Sequence, residues 1–174
     1  MSRGVIAVLS DTHREAGHGL SGAAARAVEN ADVLVHAGDF TTPAVYDAFE
    51  TAVDRIEVVH GNRDDPELTA RLPAKRVFEA GGVRIALVHG HDHGGTALSL
   101  LGRSEGADIV VFGHSHRPDL IEADGVTLLN PGSHTQPRGH RTAHATIEDE
   151  GEGERVSVRL RGADGSVIDA AHLD

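Results

Sequence analysis

The sequence has no cysteine. Disulfide bridges and thiolate metal sites are therefore excluded, and any bound metal ion must be held by nitrogen and oxygen ligands. No stretch approaches the roughly 20 apolar residues that a membrane-spanning helix needs, and the N-terminus lacks the charged-then-apolar pattern of a signal peptide. We therefore expect a cytoplasmic protein that has no membrane partner.

Positive charge is also scarce. Lys75 is the only lysine, and 16 lysines and arginines face 27 aspartates and glutamates, which gives a formal net charge of -11. Because nucleic-acid binding draws most of its affinity from neutralised phosphates, this balance argues against nucleic acid as a partner. A small phosphate ester remains compatible with it, since bound divalent cations would invert the local field.

The length of 174 residues predicts one domain, residues 1–174, which is long enough to bury roughly 70% of its unfolded surface. Short apolar runs, many of them rich in β-branched residues, indicate buried strands. The predicted strands of the first two thirds of the chain are residues 5–9, 33–35, 56–59, 77–79, 83–88 and 109–112. Gly81 and Gly82 mark a hairpin between the fourth and the fifth.

Helical signals separate several of these runs. Ser21 is placed to cap an alanine-rich helix that ends near Asn30. Thr42 followed by Pro43 marks the start of a second helix, and an apolar stripe around residues 98–101 indicates a third. The repeated order of strand, polar loop and helix is typical of a layered α/β fold.

The last third of the chain predicts antiparallel strands. Residues 120–122 and 126–129 flank an Ala-Asp-Gly turn, and residues 144–147 face residues 156–160. The acidic, glycine-rich segment 149–154 between the second pair is expected to be a solvated hairpin tip.

Polar side chains with metal-binding chemistry follow five of the predicted strands. A single sheet would bring these strand ends to one rim, which is where open α/β sheets place their ligands. Glycines beside them allow tight turns and close backbone approach. The candidate ligands are Asp11, His13, Asp39, Asn62, His89, His114 and His116.

This mixture of carboxylate, amide and imidazole groups suits borderline divalent metals. Seven ligands exceed what one tetrahedral site needs, and they suit two ions roughly 3.5–4 Å apart that share a bridging carboxylate. We expect two divalent ions, with manganese as the first choice and nickel, iron, cobalt or zinc as alternatives.

The motifs resemble those of the calcineurin-like metallophosphoesterases, and in length and spacing they are most similar to the small bacterial and archaeal phosphodiesterases. The resemblance runs from residue 5 to residue 138 and implies a two-sheet β-sandwich flanked by helices in four α/β/β/α layers. The motifs are Asp11-x-His13, Gly38-Asp39, Gly61-Asn62-x-Asp64, His89-Gly90-His91, Gly113-His114-x-His116 and Asn130-Pro131-Gly132-Ser133.

The resemblance also implies a ligand set and a reaction. Asp11, His13 and His116 would hold one ion. Asn62, His89 and His114 would hold the other, and Asp39 would bridge the two. A metal-bridging hydroxide would attack phosphorus in line, and Asn62 would also contact the phosphate of the substrate.

One position departs from the fullest form of the family's active site. Relatives with strong acid catalysis carry histidine directly after the Gly-Asn pair, where this chain has Arg63. Arginine can bind the substrate phosphate but cannot donate a proton at ordinary pH. The proton donor is therefore unassigned, and the nearest catalytic candidates are His91 and Asp64.

Two other functions remain open at this stage. The chain could be a non-catalytic, protein-binding scaffold similar to the retromer subunit that shares the fold, although a scaffold has no need for seven ligands. A nuclease should show a basic stripe, which the net charge does not support. The natural substrate and the oligomeric state, including a homo-oligomer, are also open.

Overall fold

The computed structural model describes residues 4–151 and 155–174, so part of the acidic segment 149–154 lies outside the described residues. None of the described helices is long and apolar enough to cross a membrane. The elements in chain order are β1 (Val5–Leu9), α1 (Gly22–Glu29), β2 (Val33–His36), α2 (Pro43–Ala52), β3 (Ile56–Val58), α3 (Pro66–Arg71), β4 (Lys75–Ala80), β5 (Val83–Val88), α4 (Gly95–Glu105), β6 (Ile109–Val111), β7 (Asp119–Ala123), β8 (Val126–Asn130), β9 (Ala143–Asp149), β10 (Val156–Gly162) and β11 (Val167–Leu173).

The strands form two mixed sheets. The first has the order β11-β10-β9-β1-β2-β3, and the second has the order β4-β5-β6-β8-β7. Strands β1, β2 and β3 are parallel, as are β5, β6 and β8, whereas the hairpins pair antiparallel. The expectation that a single sheet carries all the ligand-bearing strands is therefore wrong, because β1–β3 belong to one sheet and β5 and β6 to the other.

Three clusters of buried apolar side chains lie between the layers of the predicted α/β/β/α sandwich. Val8 and Val35 from the first sheet pack with Ile85 and Val111 from the second, and all four are fully buried between the sheets. A second cluster, which includes Phe49 of α2, packs on the outer face of the first sheet. A third lies between α4 and the outer face of the second sheet.

The two predicted helix starts behave differently. Thr42 caps α2, since its side chain accepts a hydrogen bond from the amide of Val45, and Pro43 occupies the first turn. Ser21 stands at the cap position of α1 but makes no side-chain cap. Its hydroxyl lies 3.2 Å from Nε2 of His134 instead, which ties the start of α1 to a distant loop.

Two elements gave no usable sequence signal. Helix α3 has only six residues, which is too short to show a helical period. Strand β11 is an edge strand whose residues are exposed or half-buried, so it lacks the apolar run by which the other strands are recognised.

We predict that G102A destabilises the protein by about 1–3 kcal/mol, although alanine is the better helix former. A Cβ at Gly102 would lie 2.6 Å from Cγ1 of Val126 and 2.8 Å from Cγ2 of Val110, so α4 would have to move away from its sheet. The matched control is G95A in the same helix, where a Cβ would meet nothing within 4 Å. Urea denaturation of both variants measures the effect, and equal stability would contradict the close docking of α4.

Candidate metal centre

The structure brings all seven predicted ligands together at one rim of the sandwich. They lie in the loops that follow β1, β2, β3, β5 and β6, so the carboxyl ends of parallel strands from both sheets supply them. Each of the seven has a nitrogen or oxygen atom within 4 Å of such an atom of another.

One group of donors consists of Asp11, His13 and His116. Oδ1 of Asp11 lies 3.5 Å from Nε2 of His116 and 3.8 Å from Nε2 of His13. All three atoms are buried, and within the described residues none makes a hydrogen bond of normal geometry. Because a buried polar atom without a partner is costly, three of them aimed at one point fit a bound cation.

Asp39 lies in the middle of the cluster. Its Oδ2 is 3.2 Å from Nε2 of His13 and 3.2 Å from Nε2 of His89. Oδ1 of Asn62 extends the cluster, at 3.0 Å from Nε2 of His89 and 3.2 Å from Nδ1 of His114. Asp11 also approaches both sides, since its Oδ1 is 3.9 Å from Nε2 of His89.

These separations suit shared metal ions. Two ligands that bind one ion at roughly 2.0–2.2 Å lie about 3–3.6 Å apart, and most of the distances in the cluster fall in or near this range. The donors are imidazole nitrogens and carboxylate or amide oxygens, a set that borderline divalent metals accept. The residues present therefore fit divalent cations.

Backbone carbonyls fix which nitrogen of two histidines faces the cluster. Nδ1 of His89 donates to the carbonyl of Ala37 at 2.8 Å, and Nδ1 of His116 donates to the carbonyl of Gln136. In a neutral imidazole, Nε2 then carries only a lone pair. Nε2 of His89 faces oxygens of Asp39 and Asn62, so this contact requires a proton or a metal ion in between.

Each buried carboxylate keeps one oxygen anchored and one directed at the histidines. Oδ2 of Asp11 accepts hydrogen bonds from the hydroxyl of Ser10 at 2.7 Å and from the amide of His114 at 2.9 Å. Oδ1 of Asp39 accepts from the amide of Arg63 at 2.8 Å. These donors hold the second oxygen of each carboxylate in place toward the cluster.

The ligand loops have an unusual backbone. Five of the seven predicted ligands are non-glycine residues in the left-handed region, which L-residues other than asparagine and aspartate seldom enter. Such conformations persist only where the surrounding structure enforces them, and they concentrate at functional sites. The five residues, with φ between 40° and 73°, are Asp11, His13, Asp39, His114 and His116.

Two glycines give the carboxylates room. A Cβ at Gly61 would lie 2.0 Å from Oδ1 of Asp39, and one at Gly113 would lie 2.0 Å from Oγ of Ser10 and 2.6 Å from Oδ2 of Asp11. The predicted use of glycine for close backbone approach is therefore seen at these two positions.

The carboxylates raise the affinity of their histidines for protons. Burial lowers the pKa of His13, but the neighbouring carboxylates of Asp11 and Asp39 outweigh it and raise that pKa to about 9. Burial likewise opposes protonation of His89, yet the carboxylates raise its pKa above the ordinary value. Without a metal ion, protons on these rings would therefore balance the buried negative charge.

His36 packs beneath the candidate metal centre and links two of its loops. Its ring is fully buried and stacks on Phe40 with a centroid separation of 3.8 Å. Nδ1 accepts from the amide of Gly38, so Nε2 carries the proton and donates to the hydroxyl of Thr12. Burial lowers the pKa of His36 to about 3, so the ring is neutral and links the loops after β1 and β2.

The predicted catalytic candidates occupy different surroundings. His91 is exposed, its ring centroid lies 5.6 Å from that of His89, and its Nε2 lies 3.1 Å from Oδ2 of Asp92. The carboxylate of Asp64 accepts three backbone amides, from Asp39, Thr41 and Gly61, while burial raises its pKa. Asn62 and Arg63 are exposed beside the cluster.

The loop that follows β8 binds the loop that follows β1, a role that the Asn130-Pro131-Gly132-Ser133 motif by itself does not indicate. The hydroxyl of Ser133 donates to the carbonyl of Asp11 at 2.7 Å, and that of Thr135 donates to the carbonyl of Thr12. Neither residue could serve as a metal ligand in the predicted set, so neither attracted attention. Serine and threonine are too common near such motifs for their presence alone to predict these hydrogen bonds.

A family model described as the calcineurin-like phosphoesterase superfamily domain matches residues 5–152. The chain belongs to this superfamily. A probable metallophosphoesterase from Methanothermobacter thermautotrophicus is 37% identical over 138 residues, which are 77% of this chain and 79% of that protein. A phosphodiesterase from Methanocaldococcus jannaschii is 26% identical over 138 residues, 73% of this chain and 82% of its own.

The fold is shared with solved structures of the same architecture. Vps29 from Entamoeba histolytica, solved in complex with Zn²⁺, superposes with a TM-score of 0.77 at 23% identity and covers 98% of each chain. At this identity the likeness establishes the fold alone. The expected superfamily and sandwich fold are thereby confirmed.

We predict that binding of Mn²⁺ to the metal-free protein releases protons at pH 7. His13, with a pKa near 9, is protonated in the metal-free form and must lose its proton to become a ligand. The apparent affinity for Mn²⁺ should therefore rise with pH up to about pH 9 and level off above it, as His13 loses its proton. Calorimetry in buffers of different ionisation enthalpy counts the protons, and H13Q should release fewer. Heats that do not depend on the buffer would contradict the protonation of His13.

Proposed function

We propose that this protein is a dinuclear metal-dependent phosphodiesterase that hydrolyses a small phosphate ester. The observation that carries the proposal is the convergence of seven nitrogen and oxygen donors, three of them buried atoms without a hydrogen-bond partner in the described chain. The superfamily assignment and the phosphodiesterase of Methanocaldococcus jannaschii support the reaction class.

In this proposal Asp11, His13 and His116 hold one ion, and Asn62, His89 and His114 hold the other. Asp39 lies between them, which its equal distances of 3.2 Å to His13 and His89 support. Two divalent ions, with manganese as our first choice, would supply a nucleophile from water at neutral pH and would neutralise charge on the phosphoryl oxygens.

Residues of the chain itself would orient the ester. Oδ1 of Asn62 faces the two histidines, which leaves its amide nitrogen free to donate to a phosphoryl oxygen. Arg63 is the next residue and is exposed, so its guanidinium can add a charge-assisted hydrogen bond to the same group. Both act on the anion that the reaction develops at phosphorus.

The departing oxygen has no dedicated proton donor in this arrangement. Asp64 accepts three backbone amides, which favour its ionised form and occupy both of its oxygens. His91 is the better candidate, because it is exposed at the edge of the centre and Asp92 can orient its ring. We propose unassisted departure as the main route, with His91 as the residue to test.

The alternative is a protein-binding scaffold that shares the fold. Metal analysis combined with an assay on bis(4-nitrophenyl) phosphate separates the two functions. Bound metal with turnover supports the phosphodiesterase, whereas a protein that neither retains divalent metal nor turns over any phosphodiester would favour the scaffold.

We predict that D39N lowers kcat by roughly 10³-fold or more, and by more than H116A does. Asp39 faces histidines of both groups, so loss of its charge should weaken both ions at once, and each ion supplies several kcal/mol of transition-state stabilisation. Metal content by mass spectrometry and steady-state kinetics check the result. Two retained ions and near-normal turnover in D39N would contradict the central position of Asp39.

We further predict a steep dependence of rate on the leaving group. Without a general acid, which typically contributes 10²–10⁴-fold, aryl diesters with acidic alcohols should react far faster than alkyl diesters. A series of substituted phenyl diesters measures the slope, and H91A should leave it unchanged. The control is H140A, an exposed histidine outside the centre. A flat dependence in the parent that becomes steep in H91A would instead identify His91 as the acid.

A further inference from the structure

The segment 131–138, which follows β8, is bound directly to the candidate metal centre. Ser133 and Thr135 donate side-chain hydrogen bonds to the carbonyls of Asp11 and Thr12. The carbonyl of Gln136 accepts the Nδ1 proton of His116. The amide of Gln136 in turn donates to the hydroxyl of Ser133 at 2.9 Å, which closes the segment on itself. Its position is therefore fixed relative to one end of the cluster.

Arg138 ends this segment and binds the side chain of Gln136. Its φ of 49° lies in the left-handed region, and its Nη2 donates to Oε1 of Gln136 at 3.3 Å. The guanidinium is thus attached to the residue whose carbonyl orients His116.

The charge of Arg138 is available to a ligand. The side chain is exposed, and among the described residues no carboxylate lies within 4.0 Å of its guanidinium nitrogens. Arg55, Arg159 and Arg161, in contrast, are engaged by glutamates. A guanidinium that keeps donors free beside a cluster of metal-ligating groups is suited to bind the oxygens of a phosphate bidentately.

We propose that Arg138 binds the phosphate of the substrate at the end of the centre formed by His13 and His116. The amide of Arg63 binds Asp39 at 2.8 Å, beside the other group of donors, so the two arginines would hold the phosphate from two sides. The inference rests on the proposed phosphodiesterase function and deepens it, because it adds a substrate-binding residue that lies outside the metal ligands. It also explains why a chain of net charge -11 can attract an anion to this rim.

The test uses the metal-loaded full chain and the variants R138Q, R138K and R103Q. A charge-assisted hydrogen bond contributes roughly 1.5–3 kcal/mol, so R138Q should raise KM for bis(4-nitrophenyl) phosphate about 10-fold or more. The value of kcat should change much less, and the inhibition constant of inorganic phosphate should rise in parallel. R138K should restore part of the affinity. R103Q removes an equal charge from the last turn of α4 and should behave like the parent.

Failure of the Arg138 proposal can be distinguished from failure of the phosphodiesterase proposal. An unchanged KM and phosphate affinity in R138Q, with an active parent, would overturn the role of Arg138 and leave the phosphodiesterase intact. Loss of bound metal in R138Q would show that Arg138 supports the ligand loops, which also overturns the proposal. If the parent hydrolyses no phosphodiester, the proposed function fails, and calorimetric titration with inorganic phosphate still decides whether Arg138 binds it.

Discussion

The structure around the site depends on the burial of two carboxylates, Asp11 and Asp39, in one small volume. Both are at most 1% exposed, and within the described residues no lysine or arginine forms an ion pair with either. Such charges are tolerable only where opposite charge and hydrogen-bond donors compensate them. The histidines provide the charge once they carry protons or metal, and backbone amides provide the fixed donors. The loops, the glycines and the meeting of two sheets can all be understood as means to this arrangement.

Much of this architecture was predictable because it rests on local signals. Buried strand β1, for example, is a continuous apolar run that is followed directly by Ser10 and Asp11. Parallel strands place their carboxyl ends at one edge of a sheet, so the grouping of the seven candidate ligands could be predicted from the sequence. The two-sheet sandwich followed only from the family resemblance, because an apolar run by itself does not specify which strand is its neighbour. Edge strand β11 was missed because none of its residues is fully buried, so it shows no apolar run.

Other features of the site depend on contacts across large sequence separations. The bond from Ser133 to Asp11 joins residues 122 positions apart, and no local pattern indicates it. The left-handed backbone at His13 and His114 is also not indicated by the sequence, since non-glycine residues as a class seldom adopt it. These features are imposed by the assembled fold.

Fold alone does not determine function, because the same sandwich is found in proteins as different in sequence as Vps29. Function must therefore be argued from the side chains that the fold brings together.

The left-handed backbone of five candidate ligands has a consequence for attempts to engineer the protein. Each holds a conformation that costs of order 1 kcal/mol or more relative to glycine, so the ligand loops lower the stability of the folded chain. Selection for heat resistance alone would therefore favour replacing these residues with glycine or asparagine, and the thermostable products would lose the carboxylates and imidazoles of the candidate metal centre. A library of variants designed to raise thermostability should leave the candidate ligand loops unchanged and vary the exposed faces of the helices instead.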